Sequence, residues 1–372
     1  MKEIIPAVLI SIILTNACSP QSEDSEGIDY SALPDIPVEL VMEIGESEDF
    51  IPAQLRDLFI ASDESMLVSD WGSITIEQFS PAGEHTGTIA AEGGGPGELG
   101  AFFSMIYIGH DTVMVSQQQG RKDFYAPDES GTFSFIKSVL NENRERSLTV
   151  IGPYSESEYF ASTNIMIRDV QRLLTNPEDF RFRTIVLTDL NGKIIADSLH
   201  QLKFPMDHLT GIGGGFTINS IPYRVSEKLL LTDNQHYMIS RPDSSALYVY
   251  DNDHVLEKRI PLVVKPRLVT DDGIDYFLKD VERRIRQEIE PRIFDEKPPY
   301  LDLWVSDNYI WLHTDTGEEG KEIVLVDFEG NPAGKFMLSD VDEIKHIEGD
   351  RVYTLHMNPE LGDSIRIYEI MI

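Results

Sequence analysis

One unit recurs five times along this chain: a β-type run, a short turn and a second β-type run. The copies are "ITIEQFSPAGEHTGTIA", "RKDFYAPDESGTFSFIKSV", "RTIVLTDLNGKIIADSL", "ALYVYDNDHVLEKRIPL" and "EIVLVDFEGNPAGKFML". In each copy an aspartate or a serine opens the turn, where its side chain can accept hydrogen bonds from backbone amides. Glycine closes four of the turns, because it readily adopts the positive φ that such a position requires. The repeat therefore predicts a series of β-hairpins.

The turn of the fourth hairpin closes with a residue other than glycine. The five closing residues are Gly83, Gly131, Gly192, His254 and Gly330. Histidine tolerates the left-handed region better than a β-branched residue does, so the fourth hairpin is still expected to turn there. The spacing between closing residues grows beyond the roughly 40 to 50 residues of a four-stranded blade, which indicates insertions in the later units.

A further hydrophobic run precedes each hairpin and ends in polar residues. These runs are "ESMLVSDWGS", "DTVMVSQQQ", "SEYFASTN", "KLLLTDNQ" and "NYIWLHTDT". A sixth copy, "DRVYTLHMNPELGDSIRIYEIMI", closes the chain without an outer hairpin, and "VELVMEIG" (38–45) stands ahead of the first copy. Pairing this first strand with the last would remove the open sheet edges that favour aggregation. We therefore predict an all-β fold, a six-bladed β-propeller over residues 37–372 that is closed by its N- and C-terminal strands.

One segment interrupts the β-pattern. Apolar residues recur at helical spacing between about 271 and 294, and they are Phe277, Leu278, Val281, Ile285 and Ile289. Thr270 precedes them as a capping residue, and Pro291 limits the far end. We predict one helical insertion that packs on the propeller.

The N-terminus has the pattern of an export signal. An apolar run follows Lys2 and is too short to span a bilayer, which is typical of a signal peptide over residues 1–17. Cys18 is the only cysteine, and its position after Ala17 resembles a bacterial lipobox, so we expect it to be lipidated. A plain cleaved signal is the alternative. Residues 18–36 are polar and acidic and predict a flexible tether. The expected location is the cell envelope, at the outer membrane of a Gram-negative bacterium.

The charge of the chain excludes one class of partner. The 64 acidic residues exceed the 31 basic ones and leave a formal net charge of −33. Such a surface repels nucleic acids and anionic lipid head groups. It would attract cations, although it would also serve simply to keep the protein soluble.

The glycine-rich stretch "EGGGPGEL" (92–99) is not a phosphate loop. A phosphate loop needs Gly-Lys-Ser/Thr after its glycines, whereas Pro96, Gly97 and Glu98 stand here. A dinucleotide site would need a following helix, and "AFFSMIYIG" continues instead as a strand. We interpret the stretch as a crossing between blades in which glycines allow a close backbone approach.

The pattern of these features resembles that of the bacterial six-bladed β-propeller lipoproteins. Those proteins are similar in shape to NHL-repeat propellers. The resemblance covers about residues 38–372 and depends on Asp70, Gly83 and "GGGPGEL" in the first blade and on "KPPYLDLWVSDNYIWLHT" in a later one. It implies a lipid-anchored propeller. Propellers host many unrelated functions, so the resemblance does not select one.

Two classes of function remain open from the sequence. The first is a non-catalytic binding or scaffolding module for a peptide, glycan or protein partner, and we expect a monomer of this class. The second is a propeller enzyme, a metal-dependent lactonase-like hydrolase or a lyase, with its site on the central axis. No hydrolase elbow and no zinc motif occur. No cofactor is evident from the sequence and no metal site is assigned. Calcium is compatible with the enzyme alternative, for which Asp70, Asp233 and Asp307 are candidate ligands because they end or flank runs assigned to inner strands. The alternative is that these acids only form hydrogen bonds to neighbouring blades.

Overall fold

The structure is a computed structural model that describes residues 27–140, 148–163, 181–205, 208–212, 215–232, 236–358 and 362–372. Within these residues the strands form six antiparallel sheets of four strands each and one separate hairpin. Each sheet is one blade of a propeller, and the blades are numbered here in chain order.

The first three blades follow one another along the chain. Blade 1 contains β2 (Leu55–Ile60), β3 (Met66–Asp70), β4 (Thr75–Phe79) and β5 (His85–Ala91). Blade 2 contains β6 (Phe103–Tyr107), β7 (Val113–Gln117), β8 (Arg121–Pro127) and β9 (Phe133–Leu140). Blade 3 contains β10 (Leu148–Pro153), β11 (Tyr159–Thr163), β12 (Arg181–Thr188) and β13 (Ile194–Phe204). The separate hairpin of β14 (His208–Ile212) and β15 (Gly215–Asn219) comes next.

The last three blades include the closing sheet. Blade 4 contains β16 (Lys228–Leu231), β17 (Tyr237–Arg241), β18 (Ala246–Tyr250) and β19 (Leu256–Pro261). Blade 5 contains β20 (Asp302–Val305), β21 (Ile310–Gly317), β22 (Gly320–Val326) and β23 (Pro332–Leu338). Blade 6 combines β24 (Asp342–Glu348), β25 (Arg351–Asn358) and β26 (Gly362–Ile370) with the N-terminal β1 (Val38–Ile44).

The N- and C-terminal strands close the ring, as predicted. β1 pairs antiparallel with β26, and the register runs from Val38 opposite Ile370 to Ile44 opposite Ile365. The first strands of the blades are the innermost ones, because β2 contacts β24 and β6, β6 contacts β10, and β16 contacts β20. The hydrophobic runs recognised in the sequence are mostly the second strands. Several inner strands carry charged residues, such as Arg56 and Asp57 in β2, and therefore lack an apolar signature.

Six apolar clusters fill the six gaps between neighbouring blades. In a middle strand, successive side chains point to opposite gaps because side chains alternate along a strand. Trp311 packs between blades 5 and 6, for example, whereas the adjacent Leu312 packs between blades 4 and 5. Strands that are buried on both sides read as continuous apolar runs, which explains stretches such as "IVLV" (323–326).

The five predicted turns share one geometry. In each turn the closing residue donates its N–H to the carbonyl of the opening residue at 2.9–3.0 Å. The closing residues all have positive φ, which is 62° at His254. The crossing between blades at 92–99 also lies where it was predicted, between β5 and β6. A side chain at Gly97 would meet the ring of Phe135 at 2.8 Å, and Gly97 has a φ of 76°.

The helical insertion is present but is not the single helix that its spacing predicts. It forms α1 (Asp271–Phe277) and α2 (Arg283–Ile289), and the hydroxyl of Thr270 caps α1 by accepting from the N–H of Gly273 at 3.2 Å. Short 3₁₀ turns elsewhere cover Tyr30–Ala32, Gln118–Gly120, Pro242–Ser244 and Glu290–Arg292. The chain turns after Leu278 because Leu278, Ile285 and Ile289 enclose Ile221 in a small core of their own.

The predicted tether over residues 18–36 is wrong for its last ten residues. Residues 27–36 pack against the propeller, with Tyr30 fully buried between blades 4 and 5. The N–H of Ile28 donates to Val263 O at 2.8 Å, and the N–H of Ile36 donates to Lys335 O at 2.7 Å. Cys18 and the predicted signal peptide lie outside the described residues. No helix in the described part of the chain is both long and apolar enough to cross a bilayer.

Candidate functional site on the front face

The propeller has two faces, which are defined here by the direction of the inner strands. The inner strands begin at the front face and end at the back face. The loops that lead into inner strands, the ends of the second strands and the starts of the third strands therefore meet at the front face. The helical insertion precedes β20 and belongs to the same face.

Asp70, one of the candidate metal ligands, lies at the front face, where its carboxylate binds backbone N–H groups. It ends the second strand β3, is 1% exposed and accepts hydrogen bonds from four N–H groups. The donors are Ala53 at 2.8 Å, Gln54 at 2.9 Å, Gly72 at 2.8 Å and Ser73 at 3.3 Å. A carboxylate with four such donors is already satisfied, so its burial requires no metal.

The other two predicted ligands do not join Asp70. Asp307 is exposed in the turn after β20, which places it at the back face. Asp233 lies outside the described residues. Over the described ranges, no group of three or more His, Cys, Asp or Glu side chains is arranged to hold a metal ion. Asp70 ends the second strand β3 at the front face and Asp307 belongs to the back face, so these two candidate side chains do not converge.

Blades 1, 4, 5 and 6 carry charged side chains on inner strands or at the start of a third strand, toward the front face, and we call this set the polar arc. Its members are Asp57, Lys228, Asp302, Lys321, Asp342 and Lys345. The ammonium of Lys228 pairs with Asp302 across blades 4 and 5. The ammonium of Lys321 donates to the carbonyl of Asp342 at 2.6 Å across blades 5 and 6.

Burial shifts the pKa values of two members of the polar arc, Asp57 and Lys321. Burial raises the pKa of the Asp57 carboxyl, and the Asp57 carboxylate accepts from the N–H of Met105 at 3.0 Å. Burial lowers the pKa of the Lys321 ammonium, and nearby carboxylates, Asp342 foremost, oppose this shift. His313 lies beside Lys321, and burial lowers the pKa of its imidazole to about 4. These groups join neighbouring blades, and residues so far apart in sequence carry no local motif.

A cleft of about 640 Å³ opens on the front face beside blades 3, 4 and 5, and we call it the inner cleft. Its volume lies within the roughly 300–1,000 Å³ range of ligand pockets. Its apolar lining residues are Pro205, Tyr223, Val225, Pro242, Phe294, Pro298 and Pro299. Loops that lead into β16 and β20 supply most of them, so the order of the blades assembles the cleft.

Phe294 is an exposed aromatic residue of the inner cleft. Its side chain is 56% exposed, and the guanidinium of Arg224 lies 4.9 Å from the centre of its ring. Arg224 donates in turn to the carbonyl of Arg292 at 2.9 Å. The ring is therefore held from one side while its other side stays open, which is the arrangement of an aromatic anchor site.

Charged groups complete the lining of the inner cleft. The ammonium of Lys203 lies 2.5 Å from the Asp243 carboxylate, and the N–H of Lys203 donates to Glu227 at 3.0 Å. Tyr223 is buried between Lys297 and Gly273, and burial raises the pKa of its hydroxyl to about 12. Apolar and charged residues together are typical of a protein-binding surface.

One motif noted in the sequence contributes residues to this cleft. The prolines at 298 and 299 belong to "KPPYLDLW", which we recognised only as part of a family pattern. Trp311 in the same stretch is fully buried in the cluster between blades 5 and 6, and the partly buried Trp304 packs against that cluster.

Comparison with known proteins supports the fold alone. No family profile matches the chain, and no curated protein matches it in sequence. A presumed exported protein from Bacteroides fragilis is 11% identical, with a TM-score of 0.52 over 92% of this chain and 98% of its own. A member of the DUF4221 family from Bacteroides vulgatus is 12% identical, with a TM-score of 0.51 over 91% of this chain and 99% of its own. The chain is thus a six-bladed β-propeller similar in architecture to these two proteins.

Proposed function

We propose that this protein is an exported, lipid-anchored binding module that captures an extended segment of a partner protein in the inner cleft. The observation that carries the proposal is the exposed ring of Phe294 in a cleft lined by apolar and charged residues. Under this proposal the protein acts by holding a partner at the cell envelope.

The chemistry of the inner cleft is suited to a peptide. Its described lining contains prolines, two aromatic residues, a valine and charged residues. Apolar side chains of a peptide would fit between the prolines, while its backbone and charged groups would meet the charged lining residues.

The state of the polar arc also supports a non-catalytic role. Lys228 is paired with Asp302, and Lys345 is paired with Glu343 at 2.5 Å. The first pair joins blades 4 and 5, whereas the second lies within one strand of blade 6, and in both pairs the ammonium is already neutralised by a carboxylate. A catalytic acid or base would need an open partner position within hydrogen-bond reach of a substrate.

Export and lipidation complete the proposal. The lone Cys18 follows a signal-like segment, and one structural neighbour is described as a presumed exported protein. Both observations support the proposal that the chain is a bacterial propeller lipoprotein. Several acyl chains on one residue would anchor it stably, since a single chain binds a membrane only weakly.

Expression of the full chain with labelled palmitate should label the protein, and Cys18→Ala should abolish the label. Label that persists in Cys18→Ala would contradict the anchor.

A peptide array tests the inner cleft directly. We expect the purified protein to bind a subset of short peptides that contain apolar or proline residues, and Phe294→Ala to reduce the bound signal at least about tenfold. Phe102→Ala is the matched control, because Phe102 is 57% exposed at the crossing between blades 1 and 2 and lies outside the cleft. Equal binding by the wild type and both variants, or no peptide bound at all, would reject this function.

A further inference from the structure

A second pocket lies on the back face, away from the inner cleft and the polar arc. It has a volume of about 320 Å³ and lies where the inner strands of blades 2, 3 and 4 end. Those ends contribute Tyr107 from β6, Pro153 from β10 and Leu231 from β16. The pocket therefore opens at the back mouth of the channel, and we call it the back pocket.

Aromatic rings form the walls of the back pocket. Tyr154, Phe160 and Tyr237 make one continuous wall, with ring centres 5.2 Å apart for the first pair and 4.9 Å for the second. Tyr107 lines the pocket from blade 2, where its ring stacks on Phe59 at 5.4 Å. Aromatic faces carry the negative part of a quadrupole and attract cations.

His254 supports this wall and explains the one departure from the repeated turn. Its imidazole stacks on Tyr154 at 5.3 Å with an interplanar angle of 28°, and its Nδ1 lies 3.1 Å from the hydroxyl of Tyr237. His254 adopts a positive φ of 62°, which is strained for a residue with a side chain, at the position where the other four turns have glycine. Strained positions of this kind concentrate at functional sites, where the surrounding contacts hold them.

The charge around the back pocket is negative. Glu156 lines it, and the carboxylates of Glu158, Asp253 and Asp251 help burial to raise the pKa of Tyr154. No lysine or arginine occurs among its described lining residues. His200, which lies 2.8 Å from the Tyr237 hydroxyl, stays neutral near pH 7 because burial lowers its pKa to about 4.

We propose that the back pocket binds a small organic ammonium ion, held by the faces of Tyr107 and Tyr154 and by the carboxylate of Glu156. An inorganic cation would need a set of oxygen ligands, whereas an alkylated ammonium gains from aromatic faces together with a nearby negative charge. This site is independent of the peptide cleft on the opposite face, so either proposal can fail without the other.

Calorimetric titration of the protein with choline tests the site. We expect a dissociation constant of about 0.1–10 mM at physiological ionic strength. 3,3-Dimethylbutan-1-ol has nearly the same shape without the charge, and we expect it to bind at least about tenfold more weakly. No binding of choline in this range, or equal binding of the neutral analogue, would overturn the proposal.

Three variants locate the site. Tyr154→Leu should weaken choline binding at least about tenfold, and Glu156→Gln about threefold. His254→Gly should fold, because glycine is the residue of the other four turns, and should also weaken binding through loss of support for the wall. Tyr276→Leu on the front face is the control and should bind like the wild type. Choline binding that none of the first three variants changes would place the cation elsewhere and reject this site.

Discussion

Asp70 shows how one side chain organises a loop at the front face. Two of its four N–H donors come from the segment that leads into β2, and two come from the turn after β3. Hydrogen bonds to an ionised acceptor are roughly twice as strong as neutral ones. Asp70 therefore fixes the entrance of the inner strand of blade 1 to the end of its second strand.

We predict that Asp70→Asn lowers the free energy of unfolding by about 2–3 kcal/mol, because the amide loses the charge and turns an N–H₂ group toward N–H donors. Urea denaturation with added calcium and with EDTA measures this. Asp307→Asn, in an exposed turn, should stay within about 0.5 kcal/mol of the wild type. Calcium-dependent stability that Asp70→Asn removes would restore the metal-site hypothesis.

Buried imidazoles make the stability depend on pH. Burial lowers the pKa of His200 and of His313 to about 4, compared with about 6.5 in an unfolded chain. Between these values the unfolded state binds more protons than the folded state does. The stabilisation is therefore fully present above pH 6.5 and is lost as the pH falls toward 4.

His313→Gln tests this dependence. From pH 7 to pH 5 we expect the wild type to lose about 1–2 kcal/mol more stability than the variant does. The measurement is the urea midpoint at each pH. The comparison cancels the effect of carboxyl groups such as Asp57, whose pKa burial raises. Identical pH dependence in both proteins would show that His313 binds its proton equally well in the folded and unfolded states, which would contradict the lowered pKa.

The pairing of β1 with β26 is supported by a polar network at the element scale. Arg366 on β26 binds Glu43 on β1 at 2.8 Å, and its Nη1 lies 2.9 Å from His356 Nδ1. The fully buried Asp342 lies 2.6 Å from His356 and accepts from the hydroxyl of Tyr368 at 2.6 Å. The network therefore connects all four strands of blade 6.

We predict that Arg366→Met destabilises the protein by about 2–3 kcal/mol, because Glu43 and the Asp342–His356 pair lose a half-buried cation. Arg284→Met is the control, since Arg284 forms an exposed pair with Glu288 at 4.0 Å and should change stability by less than about 0.5 kcal/mol. Thermal unfolding of both variants decides the matter. Equal effects would mean that the network adds little to ring closure.

Elements with strong local chemistry were predictable, and elements that depend on packing were less so. The five turns form as expected because an Asp or Ser and a residue with positive φ define them within a few positions. The insertion has helical spacing throughout, yet the chain breaks after Leu278. The break allows Leu278 and Ile285 to pack against Ile221, which is far away in the sequence.

At the scale of the whole molecule, the net charge of −33 opposes folding through self-repulsion. We predict that raising NaCl from about 0.1 M to about 1 M, which shortens the Debye length from about 10 Å to about 3 Å, raises the melting temperature by a few degrees. KCl should act alike, because screening is not specific to the ion. An unchanged or lower melting temperature would show that ion pairs such as Lys297–Asp315 outweigh the repulsion.

The sequence by itself determined the hairpin repeat, the number of blades and the closure of the ring by its two terminal strands. These features follow from turn residues and from apolar runs, which are local patterns that a single chain displays. The ring then requires each blade to bury both of its faces, and the runs of the middle strands reflect this.

Only the tertiary structure decided which strands are innermost, where Asp70 and Asp307 lie, and which residues form the inner cleft and the back pocket. Lys228 and Asp302 meet at the channel although many residues separate them in the chain. Such contacts arise from the docking of one blade on the next. They leave no local pattern, because the residues involved are constrained by neighbours in space and not by neighbours in sequence.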